Sequence, residues 1–158
     1  MLKYHIRPAT RDDAKTVLEL VIKLAAYEKL SDQVRATAHD IVKCGFSERP
    51  YFEALLAVDS DDNPLGLALY FFTFSTFLAR PSLYLEDLFV SPEYRGQGIG
   101  KAFFREMIKI AQKRECGRIE WSVLDWNESS IKFYKSLGAR PVEGWTMYRL
   151  ESVQNLSI

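Results

Sequence analysis

Polar and apolar residues alternate over Tyr4-His5-Ile6-Arg7 and stop at Pro8, the pattern of a short first strand. Thr10 and Asp13 then stand three apart, a capping-box variant with Asp in place of Glu. Ala14, Val17, Leu18, Val21, Leu24 and Ala25 follow at helical spacing and form one apolar stripe running towards Tyr27-Glu28. Thr37 with Asp40 repeats the start signal, for a short helix expected to stop at Gly45. The period then changes. Phe52 to Val58 reads as a strand, and Asp59 to Pro64 as a strong turn. Leu65 to Phe74 and Leu83 to Val90 are near-continuously apolar, as central strands covered on both faces would be.

Beyond Val90 the chain runs through Arg95-Gly96-Gln97-Gly98-Ile99-Gly100 into a helical pattern carrying Phe103, Phe104, Met107, Ile108 and Ala111. Gly117 is the expected end of that helix. Arg118 to Leu124 alternates as a strand, with Ile119, Trp121 and Val123 on one face and Glu120 and Ser122 on the other. A helix from about Ser129 to Leu137 follows, with Gly138 as its left-handed cap. Trp145 to Glu151 alternates once more and is expected to close the sheet.

At 158 residues and 47% apolar content, the natural expectation is one α/β domain over 1–158. The balance of 21 basic against 21 acidic side chains supplies no basic field for nucleic-acid phosphates. Cys44 and Cys116 are too few for a disulfide framework, and His5 and His39 have no ligand spacing around them, so nothing argues for a metal. Met1 to His5 lacks the long apolar segment of a signal peptide, and no stretch approaches a membrane span. The expectation is a soluble, cytoplasmic protein.

The glycines at 96, 98 and 100, leaving a strand and opening a helix, are the most informative feature. Glycine lets the backbone curl tightly, and the free amides of the first helical turn then favour an anion. The last spacing is one residue short for a dinucleotide fingerprint. A Walker loop fails twice, because Ala102 follows Gly100-Lys101 and Arg95 holds the earlier glycine position. The run matches [QR]-x-x-G-x-[GA] through Arg95, Gly98 and Gly100.

That loop resembles the pyrophosphate loop of the GNAT superfamily of acetyl-CoA-dependent N-acetyltransferases. Its lead-in, Val90-Ser91-Pro92-Glu93-Tyr94, and the downstream run Asn127 to Tyr134 with Gly138-Ala139 agree with the same family in the same order. A narrower resemblance, to the spermidine/spermine (diamine) and thialysine acetyltransferase branch, covers nearly the whole chain. It rests on Ile6 to Thr10, Leu24 to Glu28, Tyr84 to Val90, Tyr94 to Gly96, Trp126 to Glu128 and Glu143 to Trp145. The resemblance implies the GNAT fold: a central mixed, mostly antiparallel twisted sheet of six to seven strands flanked by about four helices. It also implies a homodimer.

The resemblance further assigns roles. Backbone amides of Leu88, Phe89 and Val90 would pair with the pantetheine arm of acetyl-CoA. Arg95, Gly96, Gln97, Gly98, Ile99, Gly100 and Lys101 would hold the pyrophosphate. Asn127 and Ser130 would lie along the cofactor, with Tyr134 near its sulfur. Tyr27, Glu28, Glu86, Glu120, Trp121, Ser122 and Glu143 fall at positions implied to line the amine site. Glu120 departs from the family, standing where the mammalian polyamine enzymes carry histidine. Lys29 and Ser31 soften a stretch that is more acidic there, and the loop from Arg140 to Val142 is shorter. These departures bear on the substrate and leave the reaction intact.

Acetyl transfer to an amine requires a neutral nitrogen, yet an alkylammonium has a pKa of about 10.4. Glu86 would collect its proton through a water, and Tyr134 would protonate the leaving sulfur. A backbone amide near Leu88 or Phe89 would stabilise the oxyanion. Neither cysteine sits in a nucleophile setting, so direct transfer in a ternary complex is expected. From pattern alone, Tyr134 with Ile131 and Leu137 is a core stripe, and Glu28, Glu120 and Glu143 are each solvated carboxylates. As neighbours on a strand, Glu86 and Asp87 point to opposite faces, and the resemblance favours Glu86 as the functional one. The leading expectation is acetylation of a polyamine, diamine or thialysine-like amine. An amino-acid or protein N-acetyltransferase, and a non-catalytic acyl-CoA-binding module, are the alternatives on the same scaffold.

Overall fold

The computed structural model describes residues 2–155. They fall into two compact units, one ending at Ser122 and the other beginning at Val123. The first unit is an α/β layer structure on a five-stranded sheet in sequential order: β1 (Tyr4–Pro8), β2 (Glu53–Asp59), β3 (Pro64–Ser75), β4 (Arg80–Val90) and β5 (Arg118–Trp121). The first four strands are antiparallel, and β5 runs parallel to β4. Three helices belong to this unit, α1 (Ala14–Tyr27), α2 (Ala38–Gly45) and α3 (Ile99–Lys113).

Both expected start signals form. The Thr10 amide donates to the Asp13 carboxylate at 2.7 Å, and the Thr37 amide to that of Asp40 at 2.8 Å, satisfying donors that a helix start leaves unpaired. Val17, Leu20 and Leu24 of α1 and Ile41 of α2 pack on Ala54, Leu56, Val58, Leu67, Leu69 and Phe89 of the sheet. A fully buried side chain of this kind contributes about 1.5–3 kcal/mol. On the opposite face, the Phe103 ring of α3 lies against Gly66. The apolar runs of β2 and β3 are therefore covered on both sides.

Three expectations are corrected. The sheet has five strands, not six to seven, because residues 145–151 form no strand. Alternation prepares a segment for pairing but supplies no partner, and Trp145, Met147, Tyr148 and Leu150 are exposed. Second, β5 ends at Trp121 rather than Leu124, where its ladder with β4 stops at Leu85↔Trp121. Third, α3 ends before Gly117. Glu115 takes the left-handed turn (φ 54°), and the Cys116 amide closes on the Ala111 carbonyl at 2.8 Å, a Schellman cap. Gly117 instead donates to the Pro81 carbonyl at 2.9 Å and leads the chain into β5.

The second unit contains α4 (Glu128–Ser136). Asn127 caps it by accepting from the Ser130 amide at 3.2 Å. Gly138, at φ 86°, closes it as expected, with its amide bonded to the Lys135 carbonyl at 3.0 Å and that of Ala139 to Tyr134 at 3.3 Å. No helix among the described residues is long and apolar enough to cross a membrane.

Candidate functional site

Three local features converge around the end of β4. The first is an open backbone edge. The β4–β5 ladder stops at Leu85↔Trp121, while β4 continues to Val90 still bonded to β3 on its other side. Leu88, Phe89 and Val90 thus lie on a stretch where one strand edge has no strand neighbour among the described residues, which can accept an extended ligand as an added strand.

The second is a β-bulge. Leu85 pairs with Tyr70 and Asp87 with Leu69, leaving Glu86 as the extra residue. Glu86 is exposed. Asp87 shares the face of its partner Leu69, the face packed by α1. It is mostly buried there, and its pKa is pushed up to about 6 by loss of water, then by the nearby charges of Glu86 and Glu28. Glu28 caps the C-terminal end of α1, and burial raises its carboxyl pKa as well. Glu86 and Glu28 therefore both lie near enough to act on Asp87, and the medium around Asp87 is costly for an uncompensated negative charge. Such a cluster favours a cation.

The third is the turn into α3. Gly96 and Gly98 both have positive φ, 77° and 86°, which a side chain would strain. Gly98 is the N-cap of α3 and offers no side chain to it, so the amides of Ile99, Gly100 and Lys101 make up an uncapped first turn. Ile99 is buried and anchors the helix start, whereas Gln97 and Lys101 are exposed. An anion is the natural ligand of this turn. Beside it, the Arg95 Nε donates to the Val90 carbonyl at 2.9 Å, and its guanidinium lies 4.6 Å from the Tyr27 ring centroid.

The remaining expected site residues have definite places. In register with Tyr84, Glu120 lies on the α1 face and forms an ion pair with Arg118 at 3.1 Å. The Ser122 hydroxyl is 3.0 Å from that of Tyr84, whose ring stacks on Phe71 with centroids 5.1 Å apart. Trp121 belongs to the opposite face, edge-on to Phe104 of α3 at 5.1 Å. The first unit thus brings Tyr27, Glu28 and Arg95 to the end of β4 and directs Trp121 away from that face. In the second unit, Asn127 and Ser130 form the α4 cap, the Tyr134 ring lies 5.5 Å from that of Phe133, and Glu143 is exposed in a stretch without regular structure.

The sequence alone sets Asp87 aside in favour of Glu86 and gives Tyr84 and Gly66 no role in the site. The signal for Asp87 was a carboxylate inside an apolar strand, but its face depends on the bulge, which leaves no mark in the alternation. Gly66 lies where the β4 backbone comes closest: a Cβ there would stand 2.5 Å from the Phe89 carbonyl oxygen.

Comparison with known proteins gives this geometry a context. Residues 18–139 match the model of the Acetyltransferase (GNAT) family. The thialysine N-epsilon-acetyltransferase of Sus scrofa is 40% identical over 156 residues, spanning 92% of this chain and 91% of that protein. Spermidine/spermine N(1)-acetyltransferase-like protein 1 of Homo sapiens is 34% identical over 164 residues, spanning 98% of this chain but 24% of that longer protein. Among solved structures, an integron cassette protein from the mobile metagenome of V. cholerae superposes with a TM-score of 0.79 at 29% identity, covering 96% of this chain and 94% of that one.

Proposed function

The chain belongs to the GNAT acetyltransferase family and is an N-acetyltransferase; from that premise we propose that it moves the acetyl group of acetyl-CoA directly onto a primary amine of a small polycation, such as a polyamine, diamine or thialysine-like compound. The observation that carries the acceptor class is the grouping of Glu28, Glu86 and Asp87 beside the open end of β4. A monocarboxylate pocket would serve a single ammonium. Several carboxylates, one of them held in a dry setting, suit a substrate with charge to spare after its reacting nitrogen is neutral.

The donor fits the residues present. Acetyl-CoA supplies an activated thioester, a strand-like pantetheine arm and a diphosphate. The free edge of Leu88, Phe89 and Val90 offers hydrogen bonds to the arm, and the uncapped turn from Gly98 to Lys101 offers amides to the diphosphate. Asn127 and Ser130 are assigned to the cofactor by family likeness. In the transfer, Glu86 takes the ammonium proton through a water, freeing the nitrogen lone pair for attack on the thioester carbon. A backbone amide of Leu88 or Phe89 donates to the carbonyl oxygen as negative charge develops there. As the carbon–sulfur bond breaks, the Tyr134 hydroxyl would give its proton to the sulfur, and the second proton shed by the newly acylated nitrogen would pass to the phenolate and restore it. Glu120 and Glu143 are assigned to the amine site by family likeness alone, and Glu120 is paired with Arg118. A homodimer working in the cytoplasm, without nucleic acid, completes the reading.

Steady-state release of CoA from acetyl-CoA tests it, with spermidine, spermine, thialysine, lysine and a short peptide as parallel acceptors. Turnover is expected with the small polycations, at least tenfold higher in kcat/KM than with the peptide. Preference for the peptide, or no turnover with any acceptor despite acetyl-CoA binding, would overturn the acceptor class.

A further inference from the structure

Resting on the reading that Glu86 takes the ammonium proton, we infer that Glu53 is a positioning residue for that carboxylate. It holds two donors that would otherwise draw Glu86 into the sheet, and so fixes which residue of β4 is left out at the bulge. The choice is local. Glu86 is the extra residue because Tyr70 pairs with Leu85 and Leu69 with Asp87. Were Tyr70 to pair with Glu86, Leu85 would be the extra residue, while Leu69↔Asp87 and Phe71↔Tyr84 on either side would stand unchanged. A single pair separates the two arrangements, and only one of them leaves Glu86 in solvent.

The face at stake lies under α3. Cross-strand pairing sets Glu53, Tyr70, Leu85 and Trp121 in one row across β2, β3, β4 and β5, and Trp121 meets Phe104 of α3. Tyr70 and Leu85 are each 2% exposed, so the middle of the row is dry. In the other arrangement Glu86 would take the place of Leu85 there. A carboxylate in such a place needs donors. Two belong to this part of the face: the Tyr70 hydroxyl and the guanidinium of Arg114, the C-cap residue of α3.

Glu53 occupies both. Its Oε2 accepts from the Tyr70 hydroxyl at 3.1 Å, and its Oε1 from Nη2 of Arg114 at 2.7 Å. The guanidinium is seated 4.6 Å from the Phe72 ring centroid, and Phe72 stands edge-on to Tyr70 at 6.0 Å. Burial, then the charge of Glu53, push the Tyr70 phenol up, so it keeps its proton and remains a donor. With that one O–H spent on Glu53, an inward Glu86 would find no hydroxyl to bond and would meet a like charge across Tyr70 in the same row. As an ion pair, Glu53 with Arg114 is half exposed and contributes little by itself to stability. Its effect lies in keeping the donors engaged.

The register is read by maleimide labelling of a thiol introduced by Leu85→Cys, with Leu83→Cys as the control; mass spectrometry separates the new thiol from Cys44 and Cys116. Leu83 is fully buried and pairs with Phe72 in both arrangements, so it reports general loosening alone. Glu53→Leu, which frees both donors, should speed labelling at position 85 by about tenfold or more and at position 83 by less than about twofold. Without the probe, the same change should lower kcat for spermidine by about tenfold and leave KM for acetyl-CoA within about twofold. Adding Tyr70→Phe removes the buried donor and should return both kcat and protection at position 85 to within about threefold of native, a rescue that a merely structural role does not give. Glu53→Gln, which still accepts from Tyr70 but carries no charge, should fall between and carries the test should the Leu variant fail to fold. Equal acceleration at positions 83 and 85 would overturn the inference. So would unchanged labelling in Glu53→Leu, or a loss of kcat that Tyr70→Phe deepens. Native kcat in Glu86→Gln would instead bring down the base assignment, and the labelling contrast would still decide the register.

Discussion

Asp87 and Glu86 are adjacent carboxylates with opposite circumstances, and the difference lies in one inserted residue. Because Glu86 is the extra residue of the bulge, it escapes to solvent, whereas Asp87 turns onto the α1-packed face beside Leu69. Burial and the charges of Glu86 and Glu28 hold the Asp87 carboxyl at a pKa of about 6, against an ordinary value of 3.8. The sign of the linkage follows from that rise. Well below pH 4, near pH 2.5, Asp87 is protonated in both folded and unfolded chains and costs nothing. As pH climbs from about 4 to about 6 the unfolded chain ionises it first, so folded stability falls, and above pH 6 the full penalty is present. Asp87→Asn should therefore stabilise the protein at pH 7.5, by up to about 3 kcal/mol for a shift of this size, and should leave it nearly unchanged at pH 2.5. Thermal melts at the two pH values check this, and a stabilisation that is equal at both would refute it. The same variant should raise KM for a polyamine at pH 7.5, because the charge that is costly in the empty site is the one a bound cation would relieve.

At the level of elements, the site depends on how closely β3 and β4 approach. Gly66 of β3 faces Val90, and an added Cβ would stand 2.5 Å from the Phe89 carbonyl oxygen and 3.3 Å from the Phe103 ring. Neither neighbour is the free end of a flexible side chain. Gly66→Ala must push the end of β4 outward, at a cost of about 1–3 kcal/mol read from urea unfolding. The displaced residues are those with the open edge, so KM for acetyl-CoA should rise while KM for the amine stays near its native value. Destabilisation with no change in either constant would show that the open edge tolerates movement. Elements also show what the sequence conveys. Periodicity located α1, α2 and the first four strands because each is short of neither pattern nor partner. The Thr10/Asp13 and Thr37/Asp40 pairs marked two helix starts through local hydrogen bonds. β5 and residues 145–151 were read too generously, since alternation continues where the ladder does not. The phosphate turn was legible because glycine spacing is itself the physical requirement. The bulge at Glu86 was not, because it is a property of two strands and leaves no trace in one.

For the molecule as a whole, the relevant fact is neutrality: 21 basic and 21 acidic side chains give a formal net charge of zero. A protein without net charge exerts little long-range pull on either a cationic acceptor or an anionic donor. Discrimination must then come from short-range fields, acidic around Glu28, Glu86 and Asp87 and electropositive at Arg95 and the start of α3. These are two local fields of opposite sign on one neutral body, and salt should report on them separately. The Debye length falls from about 30 Å at 0.01 M to about 8 Å at 0.15 M, so added salt erases distant steering first and contacts in a dry site last. KM for spermidine should accordingly rise only by about threefold between 0.01 and 0.15 M salt, and Asp87→Asn should raise KM by a similar factor at both salt concentrations, since the lost contact is one that salt screens little. A net-charge mechanism makes the opposite demand, namely a steep dependence and a KM that a single neutralisation barely alters. Finding that steep dependence with a mutation-insensitive KM would mean that the cation is gathered by the surface at large and not by the carboxylates at the end of β4.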